Sequence, residues 1–148
     1  MCRSTGRSVT NNVRLEDANW LLSLAGLPNS ERMSPLTGGW DNTNFLLHLS
    51  DGRKVVLKAW FANHVEEVGR VILRHIHLDS HGIPTTVPIK LTDNRSFADK
   101  NGVAWTLLPY IPGGHLGNDS ESLTDLGKVL ARMHEIPTSD CFPTEYRM

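Results

Sequence analysis

The stretch Asn44-Phe45-Leu46-Leu47-His48-Leu49, Ser50-Asp51-Gly52-Arg53, Lys54-Val55-Val56-Leu57-Lys58-Ala59-Trp60 decides the fold. Two runs of β-favouring residues flank an Asp-Gly pair, the residues that most readily reverse a strand within a few positions. The pattern predicts an antiparallel hairpin. Alternation along the second run places Val56 and Lys58 on one face, Val55 and Leu57 on the other. A lysine that shares a strand face with valine and is followed by Ala59-Trp60 differs from a freely solvated one.

Working outward, residues 1–12 are polar and are expected to be poorly ordered. From Leu15 the pattern turns helical, with Ala18, Leu21, Leu22 and Ala25 on one face and Gly26 and Pro28 as a stop. Pro35-Leu36-Thr37-Gly38-Gly39 then opens a turn. On the other side of the hairpin a helix is expected over 65–78. Its stripe is Val65, Val68, Ile72 and Ile76, and Gly82-Ile83-Pro84 ends it. Residues 87–91 read as an edge strand, because Pro88 cannot donate to a ladder. Turns at Asp93-Asn94 and Asp99-Lys100-Asn101-Gly102 precede a buried strand over 103–108 and a Gly/Pro-rich connector over 109–118. A last helix is expected over 123–135, with Leu126, Val129, Leu130 and Met133 on one face and Ser122 as N-cap. The whole reads as α+β: a small antiparallel sheet with a packed helix.

Composition narrows the function classes. Fifteen basic and sixteen acidic side chains give a net charge of -1 over 148 residues, so no global basic field favours nucleic acid. The apolar runs fall well short of the roughly 18–20 residues that cross a bilayer, and residues 1–12 lack the apolar centre of a signal peptide. Cys2 and Cys141 form no CxxC pair or metal cluster, and read as two thiols of a reduced, cytoplasmic protein. His75 and His77, two apart on a helix, point to different sides and make poor co-ligands; no metal site is expected.

Four features suggest chemistry. Gly38 and Gly39, at the mouth of the hairpin, allow close backbone approach, and exposed N–H groups of such a bend can cradle phosphate; a plain tight turn is the alternative. Lys58 is either a strand-end lysine reaching water or a cation aimed at nucleotide phosphates, as in the Val-Ala-Ile-Lys pattern of protein kinases. Glu66 and Glu67 open the following helix and could hold that lysine, or could simply complement the helix N-terminus. The passage Thr106-Leu107-Leu108-Pro109-Tyr110-Ile111-Pro112-Gly113, from buried strand to connector, offers a flat apolar slot and backbone groups of the kind an adenine edge needs.

Taken in order, these pieces resemble the aminoglycoside phosphotransferase and choline kinase superfamily, with its homoserine-kinase-like members and protein-kinase-like fold. The resemblance runs from about Leu36 to Pro137. It is carried by Leu36-Thr37-Gly38-Gly39 with Asn42 and Asn44-Phe45-Leu46-Leu47; by Asp51 to Lys58; by His81-Gly82-Ile83-Pro84; by Leu108-Pro109-Tyr110-Ile111-Pro112-Gly113; and by Leu126-Gly127, Leu130-Ala131 and Met133-His134. The resemblance implies that Gly38, Gly39, Asn42 and Asn44 line a nucleotide-covering loop. It implies too that Lys58 contacts phosphates, and that Pro109, Tyr110 and Ile111 border adenine. ATP and Mg²⁺ are then the expected cofactors, and a small molecule bearing a hydroxyl the acceptor. Trp40 is expected over the nucleotide loop, Trp60 and Trp105 in the sheet core.

This sequence departs from the family at two places. The family's helix glutamate usually falls a dozen or more residues after the strand lysine, where this chain has Gly69, Arg70 and Arg74; Glu67 or Glu66 is a candidate by proximity. The family's His-Gly-Asp catalytic loop has no counterpart in the 148 residues, where His81-Gly82-Ile83 and Gly114-His115-Leu116 are the nearest strings. Phosphoryl transfer needs metal-assisted charge neutralisation and a group orienting the acceptor, so no catalytic residue is assigned. The expected organisation is a disordered 1–12, an ATP-binding lobe over 13–108, and a hinge with the start of a truncated second lobe over 109–148. The alternative is a non-catalytic interaction module derived from a kinase lobe, with self-association through the exposed lobe interface.

Overall fold

A computed structural model describes residues 12–37, 42–114 and 116–137. Its sheet grows from the hairpin. Strands β2 (Thr43–Leu49) and β3 (Lys54–Trp60) pair antiparallel, with Asn44 opposite Lys58 and Leu46 opposite Val56. The reversal is closed by Leu49 N–H to Arg53 C=O at 2.9 Å and Gly52 N–H to Leu49 C=O at 3.0 Å. Gly52 sits at φ +91°, a conformation that penalises any side chain bearing Cβ. Asp51 accepts from the Arg53 backbone N–H at 3.0 Å and from its guanidinium at 2.7 Å, which fixes the turn from its outer side.

Strands β1 (Ser30–Leu36), β4 (Ala98–Lys100) and β5 (Val103–Pro109) complete a five-stranded antiparallel sheet in the order β1-β2-β3-β5-β4. β1 was not predicted. Its sequence Ser-Glu-Arg-Met-Ser-Pro-Leu has no apolar alternation, yet an edge strand needs little and tolerates Pro35. Its register slips between Ser30 and Arg32. Buried Ser30 satisfies the irregularity, its hydroxyl reaching Arg32 C=O at 2.8 Å and its N–H the Asn19 side chain at 2.7 Å. The converse correction concerns 87–91, which is not a strand. Pro88 has no N–H to give, and the Ile89 N–H bond to Leu107 C=O at 2.7 Å does not extend into a ladder. Likewise Asp99-Lys100 belongs to β4, and Asn101-Gly102 makes the turn.

The chain divides into two compact units, Met1–Val68 with Pro88–Tyr110, and Gly69–Val87 with Ile111–Met148. The first holds the sheet and helix α1 (Leu15–Leu24). Asp17 at the start of α1 accepts the Arg14 N–H at 2.8 Å, and Gly26 at φ +69° turns the chain after its end, as the Gly-Pro signal predicts. Ala18, Leu21 and Leu22 of α1 join Leu47, Val55, Leu57, Ala59, Trp105 and Leu107 in one buried cluster. Each large apolar side chain removed from water there contributes roughly 1.5–3 kcal/mol. Beside this cluster Lys100 pairs with Asp17 at 2.6 Å and lies over the rings of Trp20 and Trp105 at 4.2 and 5.1 Å.

Helix α2 (Val65–Ser80) begins in the first unit and runs into the second. Val68 and Ile72 of its predicted stripe are buried. Further along, His75 Nδ1 lies 2.9 Å from Thr86 C=O. Helix α3 (Ser120–His134) starts earlier than expected, because its N-cap is Asp119 and not Ser122. The Asp119 carboxylate accepts from Ser122 N–H at 3.0 Å, so Ser122 is the residue being capped. Leu126, Val129, Leu130 and Met133 lie on α3 as the periodicity predicts, but none is buried. Among the described residues, no helix is long and apolar enough to cross a membrane.

Candidate functional site

The sheet register sets the site. Leu36, Asn44, Lys58 and Thr106 stand opposite one another across β1, β2, β3 and β5, forming one transverse row on one face. The next row is Leu46, Val56 and Leu108, all half-buried. Val55 and Leu57 face the α1 side and are buried, as alternation from Lys58 requires. On the Lys58 face, a row of Leu36, Asn44, Lys58 and Thr106 therefore runs beside a row of half-buried Leu46, Val56 and Leu108.

Lys58 is half-buried, and burial lowers its amine below the ordinary lysine value of 10.5. Among the described residues no carboxylate forms an ion pair with it. The expected pairing with Glu67 or Glu66 is thus absent. Glu67 is half-buried and Glu66 exposed, both in the first turn of α2, where acidic side chains complement the unsatisfied N–H groups. The ammonium instead lies 3.9 Å from the centroid of the Trp60 ring, two positions along the same strand and on the same face. Trp60 donates its indole N–H to Thr106 Oγ1 at 3.0 Å, and Thr106 in turn donates to Lys58 C=O at 3.2 Å. Trp60 is buried as expected, though on the Lys58 face, while Trp105 joins the α1 cluster.

The other predicted residues distribute as follows. Asn42 is occupied in tying strands together: its carbonyl accepts from Ala62 N–H at 3.2 Å, and its amide donates to the Asn63 side chain at 3.1 Å. Asn44 stands directly opposite Lys58. Pro109 ends β5 opposite Val55, and Tyr110 follows it, its ring 5.7 Å from the Lys54 ammonium. Ile111 is 68% exposed and belongs to the second unit. Gly38, Gly39 and Trp40 lie outside the described residues. Leu46, Leu108, Trp60 and Thr106 were missed as site residues. The first two were within reach of the alternation that placed Val56 beside Lys58; the Trp60–Thr106 link was not, since it joins residues 46 positions apart.

A five-stranded antiparallel sheet backed by a helix, with a lysine on its third strand and a connector after the fifth, is the amino-terminal lobe of the kinase-like phosphotransferases. Residues 32–148 match the phosphotransferase enzyme family (APH), and the chain belongs to that family. Comparison with curated proteins returned no match. Among solved structures, spectinomycin phosphotransferase APH(9)-Ia, in complex with ADP and spectinomycin, superposes over 86% of this chain with a TM-score of 0.69 at 18% identity. The amicoumacin kinase hAmiN, in complex with AMP-PNP, Ca²⁺ and Ami, superposes over 91% with a TM-score of 0.65 at 13% identity. An aminoglycoside phosphotransferase from Alicyclobacillus acidocaldarius superposes over 87% with a TM-score of 0.60 at 15% identity. At these identities the likeness is one of fold. The chain spans 39%, 44% and 37% of those three structures, respectively.

Proposed function

We propose that the Lys58 face binds the phosphates and base of ATP, and that the chain is the nucleotide-gripping lobe of a cytoplasmic kinase acting on a small-molecule hydroxyl. The observation that carries this reading is Lys58 itself: a half-buried cation without a carboxylate partner among the described residues, standing between Asn44 and Thr106 beside Leu46, Val56 and Leu108. Desolvating an ammonium has a cost, and a phosphate arriving at it recovers that cost as a charge-assisted hydrogen bond. The apolar row next to it matches the flat face of a purine, with Tyr110 at its end; Pro109, opposite Val55, stands on the α1 face and would offer the base its backbone. Gly38 and Gly39 would cover the phosphates, with Asn44 beneath. Glu67 forms no ion pair with the lysine among the described residues.

Among the described residues, no three His, Cys, Asp or Glu side chains converge in a way that could hold a metal. The described residues therefore do not supply a Mg²⁺ coordination set. The related structures were solved with ADP or AMP-PNP and with spectinomycin or Ami, which supports nucleotide and small-molecule partners for this fold. Titration of Mg·ATP against the 148-residue chain and its Lys58→Ala variant tests the reading. Loss of one charged phosphate contact weakens binding by about ten- to a hundredfold; equal affinities would overturn it.

A second reading, a non-catalytic module that associates with a second copy of itself, is favoured by α3. Leu123, Leu126 and Leu130 are 52%, 41% and 43% exposed, a continuous apolar stripe on a helix with no buried residue. Sedimentation at rising concentration separates the readings: dimerisation abolished by Leu126→Glu, together with no Mg·ATP binding, would favour the module.

A further inference from the structure

We infer that Trp60 is the positioning residue for Lys58, its indole face holding the ammonium over the site in the place a helix carboxylate would take. The inference rests on the nucleotide reading above and adds to it the device that aims the lysine.

Three observations combine. First, Trp60 stands in register opposite Ala104, yet its indole N–H bonds to Thr106, the residue opposite Lys58. The side chain therefore leans back along the strand, from its own row toward that of the lysine. Second, the lean is fixed. Thr106, 1% exposed, accepts from the indole and donates its one hydroxyl proton to Lys58 C=O, so that proton and one of its two acceptor lone pairs are engaged. Third, the result is a closed circuit, from the Lys58 backbone through Thr106 and Trp60 back to the Lys58 ammonium at 3.9 Å.

Comparison with the chain's other lysines shows what is particular here. Lys100 also lies over tryptophans, but Asp17 neutralises it at 2.6 Å. Lys54 is exposed, 5.7 Å from its ring. Lys58 has a ring and, among the described residues, no counter-charge. A carboxylate would neutralise the ammonium and compete with phosphate for it. The aromatic face attracts the cation through its quadrupole while leaving the net charge in place. The ammonium is thus held in position with its full charge available to an incoming anion. Burial depresses its proton affinity, and the ring is the contact that favours the charged form.

The test uses the 148-residue chain and two readouts. By proton–carbon NMR, the Lys58 ε-methylene protons, assigned by their disappearance in Lys58→Ala, are shifted upfield by the indole ring current. In Trp60→Leu they return to the position of an ordinary lysine. By Mg·ATP titration, Trp60→Leu weakens binding by about three- to thirtyfold, whereas Trp60→Phe, which keeps an aromatic face but loses the bond to Thr106, falls between wild type and Trp60→Leu. Trp60→Leu combined with Lys58→Ala binds no worse than Lys58→Ala alone. Unshifted ε-protons in the wild-type chain overturn the inference without any tryptophan variant, which keeps it falsifiable should Trp60→Leu fail to fold. If Lys58→Ala weakens binding while Trp60→Leu does not, the inference falls and the nucleotide reading stands. If Lys58→Ala has no effect, the nucleotide reading falls and takes the positioning role with it.

Discussion

The two faces of the sheet are built from alternate residues of the same strands, and they obey different rules. On the α1 side, Leu47, Val55, Leu57, Ala59 and Leu107 are buried against Leu21 and Leu22 with no polar group among them. On the other, Asn44, Lys58 and Thr106 cross the sheet in one row, flanked by Leu46, Val56 and Leu108 that remain half-buried. The first face maximises the area removed from water; the second keeps a desolvated cation and a buried hydroxyl that packing alone would replace with apolar groups. A strand can therefore carry packing residues and polar residues at successive positions, one set on each face.

The largest effect should come from the packed face. Leu57→Ala removes a fully buried side chain and is expected to lower unfolding free energy by about 3 kcal/mol, read as a shifted denaturant midpoint with an unchanged slope. A loss below about 1 kcal/mol would mean that face is less tightly packed than its burial indicates. Thr106→Val comes next. It preserves shape but leaves the buried Trp60 N–H without its acceptor and removes one of the bonds to the Lys58 carbonyl, at about 1–2 kcal/mol. A neutral outcome would show that solvent reaches those groups and that the two faces differ less than proposed.

Lys58→Met should have the smallest effect, with opposite sign. Burial makes the folded chain release the Lys58 proton at lower pH than the unfolded chain does. Below the folded value the charged amine therefore costs stability, and the cost is relieved as pH rises through that value toward the ordinary 10.5. Lys58→Met is expected to raise Tm by about 1–2 °C at pH 7, with the gap from wild type closing as the buffer approaches pH 10. A lowered Tm at pH 7 would place Lys58 among the stabilising residues and erase the distinction between the faces.

The hairpin was legible because its information is local: Asp51-Gly52 and the flanking alternation specify both turn and facing. The α1 stripe and its Gly-Pro stop were legible for the same reason. β1 was not, since an edge strand with Ser30, Glu31 and Arg32 has no pattern to betray it and forms because β2 offers a free edge. In the site, the family motifs pointed to Lys58 and Asn44, which the register brings face to face. They also pointed to Glu67, by proximity along the chain, whereas the contact the lysine makes is with a ring whose orientation depends on a distant threonine. Side-chain direction set by a tertiary hydrogen bond leaves no periodic trace.

Paired strands joined by a tight reversal at one end tend to fray from the other, like a zip without a stop. Here the open end has one: the Asn42 amide, ahead of β2, is fastened to Ala62 and Asn63, just past β3. With Asp51-Gly52 closing one end and Asn42 clasping the other, β2 and β3 behave as a single plank. Any displacement at the hairpin mouth must then tilt Asn44 and Lys58 together, so the spacing between them survives motion.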